Sequence, residues 1–226
     1  MVTPPPAEVA FFFDPMCPWA YQSSKWIRSV RGATGLEVRW RFFSLEEVNR
    51  VEGKKHPWER EWSYGWSLMR VGAWLRRRDP VLLDRWYKAV GSALHERGEQ
   101  PHRRDVAEQL AARIGLPADT VAAAIADPST TDDVRADHEW LVTTHAGFGV
   151  PTLVFGEHAL FGPVITPAPE GEAALRLWDL VTGWVEFPHL YELRKPKTRG
   201  DQAHIDAQFR PYVEARSWQT VQNPAP

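Results

Sequence analysis

Apolar positions along this chain recur with two different periods, and the period changes twice. The first run, EVAFFF at residues 8–13, is too short for a helix and rich in aromatics, which predicts a buried strand. Asp14-Pro15-Met16-Cys17-Pro18 then breaks the run, and Pro18 suits the first turn of a helix, where a missing N–H loses nothing. From Ala20 to about Val30 the residues Tyr21, Lys25, Trp26, Ile27 and Val30 follow a helical, amphipathic spacing that Gly32 and Gly35 are expected to end. LEVRWRFF alternates, with Leu36, Val38, Trp40 and Phe42 on one face and Glu37, Arg39 and Arg41 on the other, as a half-exposed strand does. The chain therefore opens strand, Cys-Pro turn, helix, strand.

From Glu46 to Gly147 the pattern is helical almost throughout. Five helices are predicted here, over residues 56–78, 80–98, 103–115, 117–127 and 129–147, with Ser129 or Thr130 as the N-cap of the last. Strands then return as VPTLVFG and HALFGPV, joined at Gly156-Glu157 with hairpin spacing. Residues 169–185 read as a helix with Ala173, Ala174, Leu177, Leu180, Val181 and Trp184 on one face. Past Val185 the chain is polar and interrupted by prolines, with a short helix expected near residues 201–215.

The order βαβ, helical block, ββα predicts an α/β protein of thioredoxin-like fold carrying an inserted helical domain. Residues 8–45 and 148–186 form the discontinuous core, 46–147 the insertion, and 187–226 a tail that packs on the core. Composition changes this picture little: 43% hydrophobic and 25% charged is ordinary for a soluble globular protein. A net charge of −2 gives no field that draws the chain to nucleic acid or an anionic membrane. The opening MVTPPPAEVAFFF lacks a basic stretch and a long apolar run, so the reading is of a cytoplasmic protein without a signal peptide.

The candidate chemistry sits at Cys17, the chain's single cysteine. A helix N-terminus carries unpaired N–H groups and a partial positive charge, which favour a thiolate. A second thiol three residues on would resolve a mixed disulfide, but Ala20 stands there, so release must wait for an outside thiol. A lone cysteine is also commonly a small buried hydrophobe. The second feature is Gly149-Val150-Pro151-Thr152 opening the third strand. A cis Val150–Pro151 bond there would turn the Val150 backbone toward an extended ligand, whereas a trans proline would merely begin an edge strand.

Two further patterns carry two readings each. Trp58, Trp62, Trp66 and Trp74 share a four-residue spacing, which on one helix makes either the core of the helical block or an aromatic lid over Cys17. Arg76, Arg77 and Arg78 end a helix, where the cations either complement the dipole or make an anion site. The eight histidines have no ligand spacing and no phosphate or dinucleotide loop is visible, so no metal, flavin or nicotinamide site is expected.

FDPMCPWA (residues 13–20), VPT (150–152), FFSLEEVN (42–49), FGPVITPAPEGEAALRLWD (161–179) and FPHLYELR (187–194) together resemble one family. It is the DsbA family of the thioredoxin superfamily, and within it the actinobacterial mycothiol-dependent oxidoreductases, which include a nitroreductase. The resemblance implies a nucleophilic cysteine at Cys17 and a cis proline at Pro151. It implies a thiol-binding pocket lined by Pro18, Trp19, Ala20, Asn49, Val150, Pro151 and Thr152. It also implies mycothiol or a similar low-molecular-weight thiol as reductant, small aromatic or disulfide substrates, and a monomer or homodimer. Ala20 departs from the family's Cys-Pro-Trp-Cys, so the chain is either a monothiol branch or a Cys-to-Ala variant that traps mixed disulfides. Kappa-class glutathione transferases and hydroxychromene carboxylate isomerases share this architecture and use one Ser or Cys without a dithiol cycle. A non-catalytic binding module is the third reading.

Overall fold

The computed structural model describes residues 6–216. It opens with β1 (Glu8–Phe13), α1 (Pro18–Thr34) and β2 (Glu37–Phe42). There follow α2 (Leu45–Val48), α3 (Tyr64–Arg76), α4 (Pro80–His95), α5 (Arg104–Arg113), α6 (Thr120–Ala126) and α7 (Ser129–His145). β3 (Thr152–Phe155), β4 (His158–Phe161), α8 (Gly171–Gly183) and α9 (Arg199–Ala215) complete it. The strands order as β2-β1-β3-β4, with β1 parallel to β2 and antiparallel to β3, and β3 antiparallel to β4. β3 and β4 are joined by the two residues Gly156 and Glu157, and Gly156 supplies the positive φ of 59° that the tight turn needs.

Successive side chains of a strand point to opposite faces, and the three phenylalanines of β1 divide accordingly. Phe11 and Phe13 meet Trp40 of β2 edge-on, and Phe13 stacks 3.8 Å from Tyr87 of α4. On the same face α8 is tied to α1, where the Trp26 indole N–H donates to the Ala174 carbonyl at 3.0 Å. Phe12 points the other way and stacks on Trp140 of α7.

The helical block has an apolar core of its own, built from Leu68, Leu75, Trp86, Val90, Leu110 and Val121. It also shares the core of the sheet through Trp66, Met69, Tyr87, Val134 and Leu141. Asp137, 4% exposed, joins α7 to β2. Its carboxylate accepts from Phe42 N–H and pairs with Arg41 at 2.8 Å and Arg76 at 2.5 Å. Arg76 thus holds a buried ion network, beyond the dipole complement expected of it.

Several expected boundaries move. α1 runs through Gly32 to Thr34 and stops at Gly35, whose φ of 76° is the left-handed cap conformation. The first helix of the block begins only at Tyr64, because Pro57–Glu59 forms a separate 3-10 turn and Ser63 takes the N-cap position. The four tryptophans therefore do not share a helix: Trp58 lies on that turn, Trp62 precedes α3, and Trp66 and Trp74 lie on α3. α7 has Pro128, not Ser129 or Thr130, at its N-cap position, and the Asp127 carboxylate accepts from Ser129 N–H instead. α8 buries Ala174 and Trp178 while Leu180 is 64% exposed, so its inward face is turned from the one expected. The tail helix is a full 17 residues, opened by a capping box between Thr198 and Asp201.

Candidate active site

Cys17 stands at the N-cap of α1, with Pro18 in the first turn. The Ala20 N–H donates to its sulfur at 3.4 Å, and the sulfur lies 3.5 Å from the Val150 carbonyl, which accepts from the thiol. The Val150–Pro151 peptide is cis. The strand end, the helix N-terminus and the start of β3 thus converge on one sulfur atom.

A cleft of about 470 Å³ opens beside it. Cys17, Pro18, Trp19 and Asn49 of the expected residues line it. Asn49 sits at its rim, with its side-chain amide donating to Leu45 O at 2.8 Å. Ala20, Val150, Pro151 and Thr152 are buried behind the cleft wall. The Thr152 hydroxyl is spent on the Gly149 carbonyl at 2.7 Å. None of the four tryptophans of the spaced series lines the cleft. Trp58 and Trp66 pack on the main core, Trp62 and Trp74 on the helical one, so the lid reading gives way to the core reading.

The remaining lining residues were not anticipated: Asp14, Met16, Leu45, Glu46, Tyr212 and Arg216. Asp14 is 1% exposed and accepts from Met16 N–H at 2.9 Å and Leu45 N–H at 2.8 Å, clamping the Cys17 turn to the start of α2. Gly65 in the first turn of α3 lets that helix approach, since a Cβ there would strike Asp14 Oδ1. Burial, only partly offset by the two backbone N–H groups, raises the Asp14 carboxyl to about 7. Glu46 is also buried, held by the Ser63 hydroxyl and by Arg60 at 2.9 Å. A phenylalanine-rich strand ending in an aspartate is a sequence signal for Asp14. For the residues from α9 no local signal exists.

α9 crosses from the helical block to α1. Phe209 meets Trp19 edge-on at 4.6 Å, Tyr212 lies 5.1 Å from the His95 ring of α4, and Gln100 donates to Ala215 O at 2.9 Å. Cys17 is consequently only 6% exposed. Burial pushes its thiol up to about 12, with the Asp14 charge adding to the rise and the Ala20 and Trp19 N–H groups opposing it. In this closed arrangement desolvation of the buried sulfur opposes the thiolate that the helix N-terminus favours. His95 is buried too, and its Nε2 lies 2.9 Å from Pro15 O; burial lowers it to about 4. Among the described residues no cluster of His, Cys, Asp and Glu is placed to hold a metal ion, and no helix is long and apolar enough to cross a membrane.

A mixed four-stranded sheet, a cysteine at the N-cap of its first helix and a helical block between β2 and β3 define a thioredoxin-like protein of the DsbA type. The chain belongs to the Rv2466c-like family, described as mycothiol-dependent nitroreductase Rv2466c, whose match spans residues 16–195. That membership places it among thiol-dependent oxidoreductases. An uncharacterised protein of Mycobacterium tuberculosis, Rv2286c, is 54% identical over 213 residues, covering 94% of this chain and 92% of the relative. Two solved structures share the fold at low identity. A 2-hydroxychromene-2-carboxylate isomerase aligns with a TM-score of 0.58 at 15% identity, over 80% of this chain and 96% of its own. A probable DsbA oxidoreductase of Streptomyces coelicolor aligns with a TM-score of 0.51 at 20% identity, over 84% and 92%.

Proposed function

We propose that the chain is a monothiol oxidoreductase acting through Cys17, with mycothiol or a similar low-molecular-weight thiol as co-substrate. The observation that carries this reading is the position of Cys17: N-cap of α1, beside the Val150 carbonyl, on the wall of a cleft large enough for a small molecule. In the exchange step the Cys17 sulfur attacks a disulfide, a new S–S bond forms as the old one breaks, and the displaced half leaves as a thiolate. Asp14 lines the same cleft, and its charge opposes ionisation of the Cys17 thiol, so exchange is favoured while the Asp14 carboxyl is protonated. Ala20 offers no second sulfur, so an external thiol attacks the mixed disulfide and frees Cys17.

With a small aromatic nitro compound as oxidant, Cys17 and one external thiol together give up two electrons and two protons and join as the mixed disulfide, while the nitro group takes them up and becomes a nitroso group and water. A second external thiol then restores Cys17. Trp19 supplies an apolar face for such a ring. A pool of reduced small thiols is a property of the cytoplasm, the compartment this reading implies.

The test is the intact mass of the protein after exposure to mycothiol disulfide, with Cys17→Ser as control, followed by nitro-substrate turnover with mycothiol as reductant. A single mycothiol adduct on Cys17, removed by further thiol, is expected. Absence of any adduct sinks the redox reading. The raised, protonated thiol favours one other reading: a transferase- or isomerase-like site that binds a thiol cofactor without forming a disulfide. That reading requires turnover in which no thiol is oxidised. A binding module would retain ligand affinity and show no turnover at all.

A further inference from the structure

The family match ends at residue 195, and α9 lies beyond it, yet the end of α9 forms one wall of the Cys17 cleft. This wall is held firmly. Phe209 is buried against Trp19 of α1, and Ala215 is buried with its carbonyl accepting from Gln100. Pro211 packs close to Gly98, where an added Cβ would come within 3.3 Å of the Pro211 carbonyl oxygen. Two side chains of this pinned segment, Tyr212 and Arg216, face the cleft.

Arg216 stands out electrostatically. Its guanidinium lies 5.8 Å from the Tyr212 ring and within reach of the Tyr212 hydroxyl, and among the described residues no carboxylate pairs with it. The carboxylates that share the cleft are otherwise engaged: Asp14 by two backbone N–H groups, Glu46 by Arg60 and Ser63. A guanidinium carries five N–H donors and no acceptor, in a planar fork. At the mouth of a cleft that holds a thiol, those donors call for oxygen acceptors. The alternative ligand, an extended peptide, would need the backbone beside Pro151, but Val150 and Pro151 are buried and the Val150 carbonyl already accepts from Cys17.

We propose that Arg216, aligned by Tyr212, is a specificity-determining residue that selects a small thiol or disulfide whose head group carries acceptor oxygens, such as hydroxyl or amide carbonyl groups. This rests on the reading of Cys17 as an exchanging thiol and adds what the site recognises. The reaction it acts on is the balanced exchange above: the disulfide is reduced to one thiol, and Cys17 is oxidised to a mixed disulfide.

The experiment measures adduct formation on Cys17 by intact mass with two neutral disulfides: mycothiol disulfide, rich in acceptor oxygens, and diethyl disulfide, which has none. The readout is the ratio of the two rates, so general changes in thiol reactivity cancel. Arg216→Ala is expected to lower the ratio by about tenfold, the scale of one hydrogen bond to a charged group. Tyr212→Phe, which keeps the ring and removes the hydroxyl, is expected to lower it in the same direction by a smaller factor. A ratio within about twofold of wild type in Arg216→Ala, the span left for a lost contact of negligible strength, overturns the proposal. If the wild-type chain forms an adduct with neither disulfide, the exchange reading itself fails and the selectivity falls with it. An adduct with an unmoved ratio removes only the role of Arg216.

Discussion

The Cys17 sulfur and the Val150 carbonyl oxygen meet at 3.5 Å although 133 residues separate them in the chain. In an exchange enzyme this backbone carbonyl is where a bound partner would anchor. Here the resting thiol uses it as its own acceptor. Opening the site therefore costs both this contact and the cover given by α9.

The first consequence concerns reactivity. With the thiol pushed up to about 12 by burial, alkylation of Cys17 by iodoacetamide should be slow at neutral pH and should keep accelerating well past the ordinary thiol range of about 8.5. Phe209→Ala, which loosens α9 from Trp19, should speed it. A rate that levels off below neutrality would show that the resting site already holds a thiolate.

Restoring the missing sulfur is a second test. Ala20 is fully buried with its N–H on the Cys17 sulfur, one helical turn away. Ala20→Cys should close an intramolecular disulfide with Cys17 under oxidising conditions, read as the loss of two hydrogens by mass. The reduced variant should lose about 1–3 kcal/mol of stability, because a sulfur is added to a filled space. A variant that keeps two free thiols under oxidising conditions would show that the α1 turn is not shaped for a dithiol.

Acid–base behaviour gives a third. A carboxyl raised from 3.8 to about 7 keeps its proton longer in the fold than in the unfolded chain, so the Asp14 contribution is largest below 3.8 and is lost as pH rises to about 7. The amount is on the order of 4 kcal/mol. His95, lowered from 6.5 to about 4, has the opposite sign: its contribution is present above 6.5 and is lost as pH falls toward 4. The two oppose each other between 4 and 6.5, and stability there should be nearly flat with respect to these groups. Asp14→Asn removes one of them, so denaturation midpoints of that variant should rise with pH across the same window. A variant profile parallel to wild type would refute the assignment.

The fourth concerns Asp137. Replacing it with Ala leaves Arg41, Arg76 and the Phe42 N–H without their shared partner, beneath α7. A loss of about 1–3 kcal/mol is expected from chemical denaturation, the cost of leaving the buried Phe42 N–H and two partly exposed guanidinium groups without their acceptor. A loss under about 1 kcal/mol would place the network among ordinary surface pairs.

Much of this molecule can be read from local pattern. The alternation in residues 36–43 and the aromatic run before Asp14 mark β2 and β1, because a two-residue period has one cause. The turn residues Gly156 and Glu157 mark the hairpin in the same way. Spacing failed where a turn intervened. Trp58, Trp62 and Trp66 keep a helical interval, but Pro57 and the extended residues before Tyr64 break the helix between them. Cys17, Pro18 and Trp19 are legible as a group that lines the cleft because they follow a strand and open a helix. Tyr212 and Arg216 were not, since only the path of α9 across α1 and α4 brings them to the cleft. The burial of Cys17 is hidden for the same reason: the helix N-terminus is visible in the sequence, and the cover that desolvates the sulfur is not.

The wall made by α9 also sets an order of events in synthesis. Cys17 leaves the ribosome early, and Phe209 and Tyr212 follow roughly 10–40 seconds later at ordinary elongation rates. For that interval the sulfur lacks this cover, and the enclosure of Cys17 waits until α9 has been made and has docked on Trp19.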